Sequence, residues 1–120
     1  MIDWTPVDVL TCLEAEPAVN EEATSYRYTM SRDGAVLALE VYPYDSDVWL
    51  AIRLSDQQER LIDLRMEGCR EIRYLRDGDR EELYFVSFDE RSQYPVNFRG
   101  GWRLQVAPNL EVKLGHPPTG

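Results

Sequence analysis

The sequence YRYTMSRDGAVLALEV, residues 26–41, places two alternating runs of apolar and polar side chains around a short polar turn. A repeat of two residues is typical of half-buried β-strands, because successive side chains point to opposite faces of a sheet. The turn spans residues 31–34, and Gly34 tolerates the positive φ that tight hairpin turns need. The stretch therefore predicts a β-hairpin, with Tyr26, Tyr28 and Met30 on one face of the first strand and Leu37, Leu39 and Val41 on one face of the second.

The same repeat continues towards the C-terminus in short runs that are separated by turns. Further strands are predicted at about 48–54, 62–66, 72–75, 83–88, 102–106 and 110–114. The run 83–88 is apolar on both faces, which predicts the central and most covered strand. Two of the turns, at 43–47 and 76–79, are rich in Asp, and the segment 115–120 is expected to be a flexible tail.

A short helix is predicted near the start of the chain. Thr5 is a suitable N-cap, Pro6 suits the first helical position, and Asp8 is an acidic side chain in the first turn. The apolar pattern stops before Pro17, so the helix is placed at about 6–15. The elements together predict a mainly β fold, either an antiparallel curved sheet or a β-sandwich with one short N-terminal helix, and an α+β arrangement is the alternative. The length favours a single domain, 1–120.

The chain is acidic, and its acidity is strongest at the start. It has 22 Asp and Glu against 13 Lys and Arg, a net charge of -9, and six of the acidic residues precede the first basic residue, Arg27. Such a surface repels phosphate, so no nucleic-acid partner is expected. The N-terminus lacks a signal-peptide pattern and no apolar run could cross a bilayer, which favours a cytoplasmic location without membrane contact. Cys12 and Cys69 have apolar neighbours and no metal-binding spacing, which predicts two buried free thiols, with a disulfide between them as the alternative.

Catalytic groups are scarce in the sequence. The only histidine, His116, lies in the Pro-Gly tail, where nothing holds it beside a nucleophile. A glycosidase needs a pair of carboxylates, and the sequence offers such pairs at 45 and 47, at 77 and 79, and at 81 and 82. Acidic residues are also common in turns, however, because Asp accepts hydrogen bonds from nearby backbone amides. The run 77–82 lacks the spacing of an EF-hand loop, and no glycine-rich phosphate-binding motif is present. We therefore expect no enzymatic activity, no cofactor and no metal site, and leave open whether the acidic turns bind a cation.

Two acidic turns are the candidate contact sites for a protein partner. The first combines aromatic and acidic side chains, a composition that is typical of interface anchors, although packing in the core is the other role of such aromatic residues. The second supplies four carboxylates around a hairpin turn. The candidate residues are Tyr42, Tyr44, Asp45, Asp47 and Trp49 in the first turn, and Asp77, Asp79, Glu81 and Glu82 in the second.

The strand pattern resembles that of the small bacterial immunity proteins of polymorphic toxin systems. The features that carry the resemblance are the turn Arg32–Gly34, the strands at 48–52, 61–66 and 83–88, and the late segment 98–106, so that it spans about residues 26–114. The resemblance implies a compact cytoplasmic protein that binds a cognate toxin domain and blocks it, often by presenting acidic surface to a basic cleft. The resemblance does not assign a contact role to any individual residue of this sequence.

Three functions follow from these observations. The first is a non-enzymatic binding protein, specifically an immunity protein that neutralises a cognate toxin or another basic protein through its acidic turns. The second is a structural or accessory subunit that assembles through an exposed strand edge, including a homodimer. The third is a hydrolase that uses carboxylates or a metal ion.

Overall fold

The computed structural model describes residues 1–87 and 101–114. Within them the chain forms a helix and nine strands in two antiparallel sheets, which confirms the predicted mainly β fold with a short N-terminal helix. The end of the predicted strand 83–88, the start of the late segment 98–106 and the predicted tail 115–120 lie outside the described residues. The elements are α1 (Pro6–Leu13), β1 (Ala18–Val19), β2 (Tyr26–Arg32), β3 (Ala35–Tyr42), β4 (Asp47–Leu54), β5 (Arg60–Glu67), β6 (Cys69–Asp77), β7 (Arg80–Ser87), β8 (Trp102–Ala107) and β9 (Glu111–Leu114).

Strands β1 to β5 form a five-stranded sheet in which each strand pairs with the next one along the chain. The predicted hairpin is β2–β3, and its turn residues Asp33 and Gly34 have φ values of 54° and 78°. Side chains of β3 alternate between buried and half-buried positions along the whole strand. The sheet therefore has an inner face that lies in the core and an outer face that solvent reaches.

Strands β6 to β9 form a four-stranded sheet, in which β7 lies between β6 and β8. The side chains of residues 83–86 are all buried, as expected for the most covered strand. Gly101 precedes β8 with a φ of 107°, and a Cβ at this position would lie 1.5 Å from the carbonyl oxygen of Phe85. The close approach of two backbones at this point requires glycine.

A single residue, Gly68, separates β5 in the first sheet from β6 in the second, and its φ of 80° lets the chain turn from one sheet to the other. Residues 2 and 3 fasten this junction. The amide of Ile2 donates to the carbonyl oxygen of Pro43 at 2.9 Å. The amide of Asp3 donates to the carbonyl oxygen of Arg70 at 2.8 Å. The carbonyl of Asp3 in turn accepts from the amide of Ile72 at 3.0 Å, so Asp3 adds a short parallel bridge beside β6.

One cluster of buried side chains draws on the helix and on both sheets. Its largest fully buried members are Trp102, Tyr28 and Phe85. Helix α1 buries Val9, Cys12 and Leu13, and it ends two residues earlier than predicted because Glu14 adopts the left-handed conformation at φ 53°. Both Cys12 and Cys69 are buried and free, as predicted. No helix of the described part is long and apolar enough to span a bilayer.

Candidate interaction surface

The first acidic turn, between β3 and β4, is held at both ends. The carbonyl of Pro43 accepts from Ile2, and the carbonyl of Ser46 accepts from the amide of Cys69 at 2.6 Å. Between these anchors Tyr44 is 62% exposed and Asp45 is exposed as well. The turn thus presents an aromatic and an acidic side chain on a fixed backbone, which keeps the entropic cost of binding low.

The other residues of the first turn lie on the outer face of the five-stranded sheet. The hydroxyl of Tyr42 donates to Glu40 at 2.5 Å, and this bond to a carboxylate is the main reason that the pKa of Tyr42 is raised. Asp47 is half-buried and lies 3.8 Å from the Arg65 guanidinium. Partial burial raises the pKa of Asp47, while Arg65 opposes that shift. Both side chains already have partners within the sheet.

Trp49 is fixed on the same outer face by two neighbours. Its indole N–H donates to Asp63, and the guanidinium of Arg60 lies 4.7 Å from the centre of its ring. Arg60 also donates to Asp63 at 3.1 Å, so the three side chains form a closed group. The hydrogen bond from Trp49, together with that from Arg60, lowers the pKa of Asp63. The group is half-exposed and pre-ordered, which suits an interface anchor.

The four carboxylates of the second turn have two different environments. Asp77 and Asp79 are exposed on either side of Gly78. Glu81 accepts a hydrogen bond from the hydroxyl of Tyr74, which raises the pKa of Tyr74 to about 12. Glu82 lies 3.8 Å from Arg103, and only 12% and 14% of the two side chains are exposed.

The two acidic turns lie far apart. Ser46 of the first turn bonds to Cys69, where β6 begins, and the second turn follows Asp77, where β6 ends. Eight steps along a strand at about 3.3 Å each separate these ends by about 26 Å. One partner therefore reaches both turns only through an interface of at least the usual size, about 800 Å² on each protein.

The sequence reasoning missed a groove on the outer face of the five-stranded sheet. It has a volume of about 170 Å³, and we call it the sheet groove; its lining residues are Arg27, Thr29, Val36, Ala38, Ala51, Ile52, Arg53 and Arg60. The groove exists because Ala38 and Ala51 are paired across β3 and β4, so that two small side chains meet on the outer face. In the sequence, the only sign of this groove was that two neighbouring predicted strands each carry an outward-facing alanine, Ala38 and Ala51.

The comparisons with known proteins show the fold. The sequence matches no protein-family model, and no curated protein is similar to it at a significant level. A chain of the contact-dependent growth inhibition toxin–immunity protein complex from Klebsiella pneumoniae 342 is similar in structure, with a TM-score of 0.71. The match covers 93% of this chain and 94% of that chain, at 13% sequence identity. This chain therefore shares its fold with a chain of a toxin–immunity protein complex, which agrees with the resemblance that the strand pattern indicated.

Proposed function

We propose that this chain is a non-enzymatic immunity protein of the bacterial cytoplasm, which binds a cognate toxin and blocks it. The observation that carries the proposal is the structural likeness, over almost the full length of both chains, to a chain of a toxin–immunity protein complex. An immunity protein acts by occupying a surface of its toxin, so it needs fixed anchors and complementary charge rather than reactive groups.

The exposed acidic residues of the two turns are the proposed source of electrostatic attraction to a basic toxin. Tyr44 is the proposed aromatic anchor of the first turn, and Asp45, Asp77 and Asp79 are the proposed charged contacts. Glu82 has a structural role instead, because a largely buried carboxylate next to Arg103 supports the four-stranded sheet.

Neither alternative function has comparable support. The described residues that line the sheet groove are three arginines, a threonine and four apolar side chains, so this groove gives no support to a carboxylate-based hydrolase. An accessory subunit that pairs through a strand edge has one specific observation in its favour, the outer position of β5 in its sheet with Leu61 61% exposed. Light scattering on the isolated protein separates this alternative, since assembly through β5 gives a stable dimer without a toxin.

The direct test is co-purification with the product of the reading frame immediately upstream, in which the proposal expects a toxin domain. We expect a stable complex whose dissociation constant rises with salt, because exposed charges are screened beyond about 8 Å at physiological ionic strength. A triple charge reversal, Asp45→Lys with Asp77→Lys and Asp79→Lys, is expected to weaken the complex by about tenfold or more and to slow association.

A matched control uses three exposed acids from the N-terminal part of the chain, Glu16→Lys, Glu21→Lys and Glu22→Lys. It changes the net charge by the same amount, so it separates a local contact from a general effect of charge. If both triple variants weaken the complex equally, the acidic turns are not the contact site. If the wild-type protein and the toxin form no complex, the proposed function is wrong.

A further inference from the structure

The sheet groove places three positive charges on the outer face of a protein that is acidic as a whole. We infer that it receives a carboxylate side chain, Asp or Glu, of the bound protein partner. The inference deepens the proposed function, because the partner is the toxin of that proposal. Among the described residues, the lining contains Arg27, Arg53 and Arg60 and no acidic residue, which is the opposite of what the net charge of -9 would suggest.

The small side chains at the floor of the groove leave a space that is about the size of one side chain. Thr29, Ala38 and Ala51 are aligned across β2, β3 and β4, and none of them rises above the sheet as far as the arginines at the rim. The resulting volume of about 170 Å³ is close to that of an engineered protein cavity of about 150 Å³ that holds a benzene molecule. A single acidic side chain fits this space.

The arginines are held in place before a partner arrives. The Nη1 atom of Arg53 donates to the carbonyl oxygens of Leu54, Ser55 and Gln57 at 3.2, 3.5 and 3.1 Å. Arg60 is held by the Trp49 ring and by Asp63. Side chains that are already ordered lose little conformational entropy when a ligand binds.

The charge at the rim is only partly neutralised within the sheet. Arg27 lies 3.6 Å from Glu40, and Arg60 pairs with Asp63. The described contacts of Arg53 are to neutral carbonyl oxygens, so its positive charge has no carboxylate partner among residues 1–87 and 101–114. A guanidinium binds a carboxylate through two parallel N–H bonds, which makes an Asp or Glu side chain the matching occupant.

A polyanion such as RNA fits this surface less well than a protein side chain does. Asp47 and Glu67 are paired in register on the same outer face, next to the row that holds Trp49. An extended phosphate backbone would meet these carboxylates and the remaining acidic surface, whereas one carboxylate needs only the local field of the rim. Arginine and tryptophan are also among the residues that most often dominate protein–protein affinity, and Trp49 lies beside the groove in a small pocket that shares Arg27 and Arg60 with it.

The first arm of the test uses a small probe and does not depend on the toxin. N-acetyl-glutamic acid amide is titrated into the protein, and the indole N–H signal of Trp49 is followed by NMR, with Trp49→Phe used to assign it. We expect a saturable shift in the millimolar range that N-acetyl-glutamine amide does not produce. Arg27→Gln is expected to weaken probe binding about threefold to fivefold, the range of an exposed ion pair.

The matched control is Arg73→Gln on the other sheet. Arg73 is 59% exposed and lies 2.7 Å from Glu71, whereas Arg27 is 61% exposed and lies 3.6 Å from Glu40. We expect Arg73→Gln to leave probe binding within about twofold. Equal shifts with the glutamate and glutamine probes would overturn the inference, and so would tighter binding of a short single-stranded RNA than of the glutamate probe.

The second arm measures the complex with the toxin. Arg53→Gln and Arg27→Gln are each expected to weaken it by about tenfold or more, because an interface removes water from the ion pair, while Arg73→Gln is neutral. If the two groove variants bind the toxin as Arg73→Gln does, the inference is wrong although the proposed function stands. If the wild-type protein does not bind the toxin, the proposed function fails, and the probe titration still decides whether the groove takes a carboxylate.

Discussion

Replacement of Gly101 by alanine should destabilise the protein far more than the same change at Gly78. The added Cβ at position 101 would lie 1.5 Å from the carbonyl oxygen of Phe85 and 2.7 Å from its carbonyl carbon. Both atoms belong to the backbone of β7, so no side-chain rotation relieves the overlap. At Gly78 nothing lies within 4 Å of the added atom, although φ is also positive at 63°.

The expected loss of unfolding free energy has two parts. Placing alanine at positive φ costs about 1–2 kcal/mol at either position. At position 101 the overlap also forces β8 away from β7 next to the fully buried Trp102, and an overpacked core costs about 1–3 kcal/mol more, or greater where a strand must shift. We therefore expect a loss of about 1–2 kcal/mol for Gly78→Ala and about 2–5 kcal/mol for Gly101→Ala, with more if β8 must shift.

The measurement is urea unfolding followed by tryptophan fluorescence and circular dichroism. The total free energy of unfolding of a small domain is about 5–15 kcal/mol, so Gly101→Ala should lower the urea midpoint severely or prevent folding, while Gly78→Ala stays native. If the unfolding free energies of the two variants agree within about 0.5 kcal/mol, the backbones of β7 and β8 do not lie as close together at Gly101 as described.

Two further predictions concern individual side chains. Trp49→Phe removes the hydrogen bond that contributes most to lowering the pKa of Asp63, so that pKa should rise towards its usual value in a carbon-detected NMR titration; an unchanged pKa would contradict the contact. Because the pKa of Asp63 is lowered in the folded state, its contribution to stability is present above about pH 3.9 and is lost as the pH falls through the folded-state pKa. Burial raises the pKa of Cys12 and of Cys69 to about 12, so at pH 8 a thiol reagent such as Ellman's should react with neither in the native protein and with both in urea; fast reaction of native protein would refute their burial.

Local patterns were sufficient to predict the hairpins. The β2–β3 hairpin depends on alternation within the strands and on Asp33-Gly34 at the turn, and all of this information lies within 17 residues of the chain. The covered position of β7 followed in the same way from its apolar side chains on both faces. These features are readable because each is a property of consecutive residues.

The pairing between distant strands could not be read in this way. A period of two shows which side chains share a face, but it does not show which strand lies beside which. The sequence predicted separate strands at about 62–66 and 72–75, and the structure uses Gly68 between them to pass from one sheet to the other. The alignment of Ala38 with Ala51, on which the sheet groove depends, and the distance between the acidic turns both follow from that long-range arrangement.

The fastening of the sheet junction by residues 2 and 3 has a consequence for the order of folding. The five-stranded sheet is a meander, so each of its hairpins forms contacts between near neighbours in sequence. The bridge between Asp3 and Glu71 instead closes a loop of about 68 residues. Closing a long loop is entropically costly until the segments at its ends are ordered. We expect the meander to form early. The docking of the N-terminal segment against β6 is then a late step that fixes the packing of the two sheets against each other.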